Sequence, residues 1–114
     1  MIERIDTVCM IVSDVEKSEH FYEEVLDFKV VFKGEGYRVL QVGEGGTPLT
    51  IEEGQVRPEA NQTYPIFFSR QITQLYEKLQ MQSVRVSDLH NDGVNHYFNF
   101  YDPDGNQLQV CYFE

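Results

Sequence analysis

The sequence predicts an α+β fold built from two tandem βαβββ modules. A strand, a helix and three strands follow one another twice along the 114 residues, and helical spacing of apolar side chains occurs once in each half. A stretch with little apolar content separates the halves. We expect a single domain, with module one at about residues 1–53, a connector at 54–63 and module two at 64–114.

The first module begins with an apolar segment rich in β-branched residues, over 5–12, which predicts a strand. Ser13 followed by Glu16 matches a capping box, so a helix should begin there and run to about Leu26. Turns rich in glycine separate three further predicted strands, over residues 28–33, 37–42 and 49–52.

The second module repeats this order. A strand is predicted over 64–68, and apolar residues at 72, 75, 76 and 79 have the i, i+3, i+4, i+7 spacing of an amphipathic helix. Asp-Pro-Asp-Gly-Asn at 102–106 predicts a tight turn, because proline presets φ and Gly or Asn accept positive φ. The remaining strands are predicted over residues 84–87, 96–101 and 108–112.

The charge of the chain limits its partners. Nine basic and 19 acidic residues give a net charge of −10, which argues against nucleic acid and anionic membranes and favours cationic ligands. Cys9 and Cys111 lie in apolar segments, so we expect buried free thiols. With no signal peptide and no apolar stretch long enough to span a membrane, we expect a cytoplasmic protein.

Two segments resemble a known family. Residues 5–18, with Phe-Tyr at 21–22 and Val-Leu-Asp-Phe at 25–28, resemble the opening module of the vicinal oxygen chelate superfamily, the glyoxalase, bleomycin-resistance and extradiol-dioxygenase group. Asp27 stands where that pattern has glycine. The turn at 102–106 resembles the Asp-Pro-Asp-Gly-Asn turn of the same family. The resemblance covers essentially the whole chain and implies curved mixed sheets around a cleft, helices on the outer face, and a cleft that a partner chain often completes. We therefore expect a homodimer, although the two halves of one chain closing on each other is the alternative.

The resemblance also implies where metal ligands would stand. Enzymes of this family hold a divalent metal with His, Gln or Glu side chains, and the corresponding positions here are Thr7, Glu52, Tyr64 and Gln109. Glu53 is the alternative to Glu52. Neutral hydroxyls are poor ligands, and one carboxylate does not make a tight site. The expected metal site is therefore largely degraded, with weak divalent binding through Glu52 and Gln109 at most.

Two functions follow from the resemblance. The first is a small-molecule-binding protein, like the bleomycin-resistance members, which sequesters a drug-like or cationic compound. The second is a glyoxalase-like metal-dependent lyase or isomerase acting on a small carbonyl compound, with Glu52 as the first catalytic candidate. An extradiol dioxygenase is disfavoured, because it requires two histidine ligands. The expected ligand-binding residues are Thr7, Ile11, Glu52, Tyr64, Phe68, His96 and Gln109.

Overall fold

A computed structural model describes residues 1–60 and 62–114. The chain divides into two compact units, Met1–Val56 and Arg57–Glu114. Each unit is a four-stranded mixed sheet with one α-helix packed on one face, which confirms the predicted α+β class and the tandem βαβββ modules. Within the described residues, no helix is long and apolar enough to cross a membrane.

The first unit has its strands in the order β1-β4-β3-β2. Strand β1 pairs parallel with β4, whereas the β4–β3 and β3–β2 pairs are antiparallel. Both parallel partners therefore begin at the same end of the sheet. The elements are β1 (Val8–Val12), α1 (Val15–Glu24), β2 (Lys29–Gly34), β3 (Tyr37–Gln41) and β4 (Leu49–Glu53).

Alternation along these strands separates a core face from a face that carries no helix. Met10 and Ile51 are buried, and the Tyr22 hydroxyl of α1 donates to the Met10 sulfur over 3.3 Å, so this phase faces the helix. Cys9 and Glu52 belong to the opposite phase and are exposed. We call the sheet surface opposite the helix the helix-free face. The prediction that Cys9 is buried is wrong, because its position in β1 is one residue out of phase with the core.

Helix α1 begins differently from the prediction. Asp14, not Ser13, is the N-cap, and its carboxylate accepts hydrogen bonds from the backbone N–H groups of Glu16 and Lys17, each at 3.1 Å. Beyond the end of the helix, Asp27 has φ of 59°, in the left-handed region that favours glycine. This conformation explains why the family pattern has glycine at that position.

A buried ion pair ties α1 to the sheet. Arg38 of β3 is 5% exposed, and its guanidinium donates to the Glu19 carboxylate and to the backbone carbonyls of Gly34 and Tyr37. Lys33 lies 3.8 Å from the same carboxylate but is mostly exposed. The Arg38 guanidinium is almost fully removed from water. The stability of the first unit therefore depends on these acceptors, which compensate the buried charge.

The second unit has its strands in the order β5-β8-β7-β6, with β5 parallel to β8 and the other two pairs antiparallel. One predicted strand is wrong: residues 84–87 contribute only an isolated bridge between Val86 and Phe100, and the outermost strand lies further along the chain. The elements are a 3-10 helix (Pro58–Ala60), β5 (Ile66–Phe68), α2 (Ile72–Met81), β6 (His90–Asn91), β7 (His96–Tyr101) and β8 (Gln107–Tyr112).

The core of this unit lies between α2 and one face of the β7–β8 pair. Phe98, Phe100, Leu108 and Val110 are at most 1% exposed, and the Tyr76 ring of α2 packs edge-on against Phe98 at 4.9 Å. Alternation therefore directs the intervening side chains of β7 and β8, including Gln109, to the helix-free face.

The predicted turn at residues 102–106 is organised by Asp102. One carboxylate oxygen accepts from the backbone N–H groups of Asp104 and Asn106, and the other accepts from the Asn106 side-chain amide, all within 2.9–3.0 Å. Asp102 and Asn106 are 5% and 4% exposed. Gly105 has φ of 87°, which an L side chain rarely adopts. The motif is thus a structural element that closes the β7–β8 hairpin.

Candidate functional site

The second unit has a pocket of about 470 Å³ on its helix-free face. Strand pairing explains why residues distant in sequence line this pocket together. Ile66 lies beside Gln109 across the β5–β8 pair, and Cys111 lies beside Tyr97 across the β8–β7 pair. The volume falls in the range of small-molecule sites, roughly 300–1,000 Å³. The described lining residues are Tyr64, Ile66, Asp92, Asn95, Tyr97, Gln109 and Cys111.

Asp92 contributes a fixed negative charge to this pocket. It lies in the hairpin between β6 and β7, where its Oδ1 accepts from the backbone N–H groups of Asn95 at 2.7 Å and Val94 at 2.9 Å. The bond from Asn95, followed by that from Val94, lowers the pKa of the Asp92 carboxyl. Asp92 is therefore ionised at neutral pH, and none of the described lining residues of the pocket is basic.

Gln109, which lines the pocket, is hydrogen-bonded to a second side-chain amide behind it. The Nε2 of Gln109 donates to the Oδ1 of Asn99 over 2.9 Å. Among the described residues, no other side-chain hydrogen bond is found for Gln109, and none is found for the Tyr64 hydroxyl. Both residues line the pocket and are half-buried. The Tyr64 hydroxyl and the Gln109 carbonyl oxygen can therefore bond to a ligand without breaking a protein contact.

Burial affects the thiol in each unit. Partial burial raises the pKa of the Cys111 thiol in the pocket. Partial burial also raises the pKa of the Cys9 thiol in the first unit, and the Glu52 carboxylate raises it further. Both cysteines are therefore protonated at neutral pH, which makes them weak nucleophiles and poor metal ligands.

The first unit holds three of the predicted site residues. Ile11 pairs with Glu52 across β1 and β4, and both side chains lie exposed on the helix-free face. The Thr7 hydroxyl lies 2.8 Å from the Thr50 hydroxyl and donates to the Pro48 carbonyl at 3.0 Å. Thr7 lines a separate, wider depression of about 780 Å³ together with Arg4, Ile5, Asp6, Val39, Gly46, Thr47, Pro48 and Thr50.

Four predicted ligand-binding residues lie outside both pockets, namely Ile11 and Glu52 of the first unit and Phe68 and His96 of the second. Phe68, on β5, is 45% exposed and packs against the rings of Tyr112 and Phe113, at 5.9 and 5.1 Å. His96 begins β7 in the phase of Phe98, opposite to that of Gln109, and its ring lies 6.1 Å from that of Tyr112. The pocket of the second unit thus brings together Tyr64 and Gln109 from the predicted set.

The predicted metal positions do not suit a divalent metal. The Thr7 hydroxyl is already hydrogen-bonded within its own unit, and Tyr64 and Gln109 offer neutral oxygens. Throughout residues 1–60 and 62–114, no group of three or more His, Cys, Asp or Glu side chains is placed to hold a metal ion.

Five pocket residues were not predicted from the sequence: Ile66, Asp92, Asn95, Tyr97 and Cys111. Signals for two of them exist. Asn91-Asp92-Gly93 is a hairpin-turn sequence, and Tyr97 is out of phase with the buried Phe98. Taken together, these would have indicated that the hairpin carries an acidic residue beside an aromatic side chain on the helix-free face.

Comparison with known proteins places the chain in a family. The model of the Glyoxalase/Bleomycin resistance protein/Dioxygenase superfamily matches residues 4–110. A glyoxalase family protein from Bacillus anthracis has a TM-score of 0.83 and 23% identity, with 100% of this chain and 98% of that chain covered. An integron cassette protein from the mobile metagenome of the Halifax Harbour sewage outfall has a TM-score of 0.84 and 23% identity, covering 98% and 100%.

The fosfomycin resistance protein FosX from Listeria monocytogenes, in a complex with Mn(II) and sulfate, has a TM-score of 0.84 and 17% identity, with 100% of this chain and 93% of that chain covered. At these identities the solved structures establish a shared fold. The family model, which spans nearly the whole sequence, establishes the membership that the residues at 5–28 and 102–106 indicated. This chain belongs to the Glyoxalase/Bleomycin resistance protein/Dioxygenase superfamily.

Proposed function

We propose that this protein binds and sequesters a small cationic or drug-like compound without a tightly bound metal. The observation that carries the proposal is the pocket of the second unit, in which an ionised carboxylate, two tyrosine rings and an amide carbonyl lie together. A cation gains from the carboxylate and from the faces of the rings. The net charge of −10 favours the approach of a cation over that of an anion.

A panel of matched aromatic probes tests the preference for charge. We expect benzylammonium to raise the melting temperature in a concentration-dependent manner and benzoate to leave it unchanged, since the two share a ring and differ in charge. Stabilisation by benzoate and not by benzylammonium would contradict the proposal. Glu52→Gln tests whether the helix-free face of the first unit also contributes: if it does, affinity for the cation falls while the melting temperature of the free protein is retained.

We also propose that the protein holds no stoichiometric transition metal, because Thr7 and Tyr64 stand where imidazole ligands are expected. Elemental analysis of protein purified without chelator should find far less than one zinc, nickel, manganese or iron per chain. A value near one would overturn this and favour the lyase or isomerase. Glu52, Gln109 and His96 would then be the first ligands to replace.

The protein is proposed to act as a cytoplasmic homodimer that binds neither nucleic acid nor membranes. Ile66, Phe68 and Phe113 are 45–56% exposed, and this apolar surface is the kind that subunit contacts cover. The acidic charge disfavours phosphate backbones and anionic lipids, and two unpaired thiols suit a reducing compartment. Light scattering at micromolar concentration should give twice the 13.3 kDa chain mass. A value equal to that chain mass would count against the dimer.

A further inference from the structure

We propose that Asn99 is a positioning residue that orients the Gln109 amide so that its carbonyl oxygen faces the ligand. The pocket of the second unit would then select cations that carry N–H donors over cations that carry none. This inference rests on the proposed function and specifies the ligand class further, as a primary or secondary ammonium, an amidinium or a guanidinium. Asn99 itself does not appear among the lining residues of the pocket.

Backbone pairing holds the two amides together. The Asn99 N–H donates to the Ser87 hydroxyl at 2.9 Å, and its carbonyl accepts from the Ser87 N–H at 2.8 Å. The Gln109 N–H donates to the Pro65 carbonyl on its other side, at 3.1 Å. Asn99 and Gln109 are therefore a non-hydrogen-bonded antiparallel pair, the kind in which opposite Cα atoms approach to about 4.5 Å and side chains meet.

The side-chain hydrogen bond then determines which end of the Gln109 amide is available. Because Nε2 donates to Asn99 Oδ1, the carbonyl oxygen is the end that is left for a ligand. Gln109 shares the pocket with Asp92 and Tyr64, which supply a carboxylate and a hydroxyl. The pocket therefore offers mainly hydrogen-bond acceptors. An N–H donor on the ligand can bond to the Gln109 carbonyl oxygen while the Asp92 carboxylate compensates the positive charge of the ligand.

Aspartate at position 99 makes a decisive variant. An ionised aspartate can only accept, so Asn99→Asp forces Gln109 to donate Nε2 and to present its carbonyl oxygen. Asn99→Leu removes the acceptor at similar volume and frees the Gln109 amide. Gln109→Met removes the amide altogether and serves as a second variant if Asn99→Leu does not fold.

The experiment measures the affinities of benzylammonium and benzyltrimethylammonium, which share charge and ring but differ in N–H donors, by calorimetric titration of the full chain. We expect the parent protein to prefer benzylammonium by roughly tenfold, the effect of one hydrogen bond from a charged donor. Asn99→Asp should retain that ratio. Gln109→Met should reduce the ratio at least about fivefold, because it removes the acceptor. Asn99→Leu should reduce the ratio by roughly two- to fivefold, because the freed amide must be ordered by the ligand.

The possible outcomes separate the inference from the proposed function. An unchanged ratio in Asn99→Leu would overturn the positioning role, and an unchanged ratio in Gln109→Met would overturn the contact between the ligand and the Gln109 amide. A ratio higher in Asn99→Asp than in the parent would show that the amide pair is reversed in the parent, which also overturns the positioning role. If Asp92→Asn leaves the affinities of both cations unchanged, or neither cation binds the parent, then the proposed function in this pocket fails, and the inference fails with it.

Discussion

Replacing Asp102 by alanine should destabilise the second unit far more than a typical surface substitution. The carboxylate accepts hydrogen bonds from the backbone N–H groups of Asp104 and Asn106 and from the Asn106 side-chain amide, at 2.9–3.0 Å. Asn106 is 4% exposed, so its donors cannot turn to water when the acceptor is removed. A hydrogen bond to a charged group contributes about 1.5–3 kcal/mol, and water can satisfy the Asp104 N–H, so the expected loss is on the order of 3–5 kcal/mol.

Urea unfolding followed by circular dichroism measures this loss. With an m value of about 1–2 kcal/mol/M, the midpoint should fall by roughly 2 M or more. Asp102→Asn is the matched control. It keeps an acceptor for the two backbone N–H groups but turns an amide toward Asn106, so we expect a loss of only about 1–2 kcal/mol.

A double-variant cycle tests the cause. Asp102→Ala combined with Asn106→Ala should cost less than the sum of the two single losses, because both remove the bond from the Asn106 side-chain amide to the Asp102 carboxylate. A loss below about 1 kcal/mol for Asp102→Ala, or losses additive within about 0.5 kcal/mol, would refute the role assigned to this carboxylate.

Three further predictions concern other residues. Asp27→Gly should be more stable than Asp27→Ala by about 1 kcal/mol in the same urea assay, because only glycine accepts φ of 59° without strain; equal midpoints would contradict this. Arg38→Ala should lower the free energy of unfolding by on the order of 3 kcal/mol, because it leaves the buried ion pair broken. Lys33→Ala removes a mostly exposed partner of the same Glu19 carboxylate and should lower it by less than about 1 kcal/mol. Similar losses in the two variants would be evidence against a buried ion pair. The pKa of the Asp92 carboxyl is lower in the folded protein than its ordinary value. The ionised carboxylate therefore stabilises the folded state fully above the ordinary carboxyl pKa, and this stabilisation is lost as the pH falls through the lowered pKa. The melting temperatures of parent and Asp92→Ala should therefore differ most at neutral pH and converge as the pH falls below the lowered pKa, and a difference independent of pH would refute the assignment.

Much of the fold could be predicted because hydrophobic spacing is local. Strand β7 occupies the predicted residues 96–101, and the buried Ile72 and Leu79 of α2 carry the spacing that predicted the helix. The errors occur where a side chain or a turn overrides the pattern. Asp14 displaced Ser13 as N-cap, because its carboxylate reaches two backbone N–H groups. The β6 strand was missed since its two residues, at 90–91, are polar and pair through a hairpin.

The candidate site was less predictable, because it depends on contacts between strands that are distant in sequence. Resemblance to the family indicated Tyr64 and Gln109, which line the same pocket. It did not indicate Asp92, which reaches the pocket only because the β6–β7 hairpin bends beside it. Nor did it indicate Asn99, whose contact with Gln109 follows from the register of β7 and β8.

The most direct test of the central claim, that the pocket of the second unit binds a cation, is calorimetric titration of benzylammonium into three proteins. These are the parent, Asp92→Asn, and Glu77→Gln, which removes an equal charge from the exposed side of α2. Asparagine retains the Oδ1 acceptor of the hairpin, so folding should be preserved. We predict that Asp92→Asn weakens binding about tenfold or more, while Glu77→Gln changes it less than about twofold. Equal affinities in all three proteins would contradict the claim.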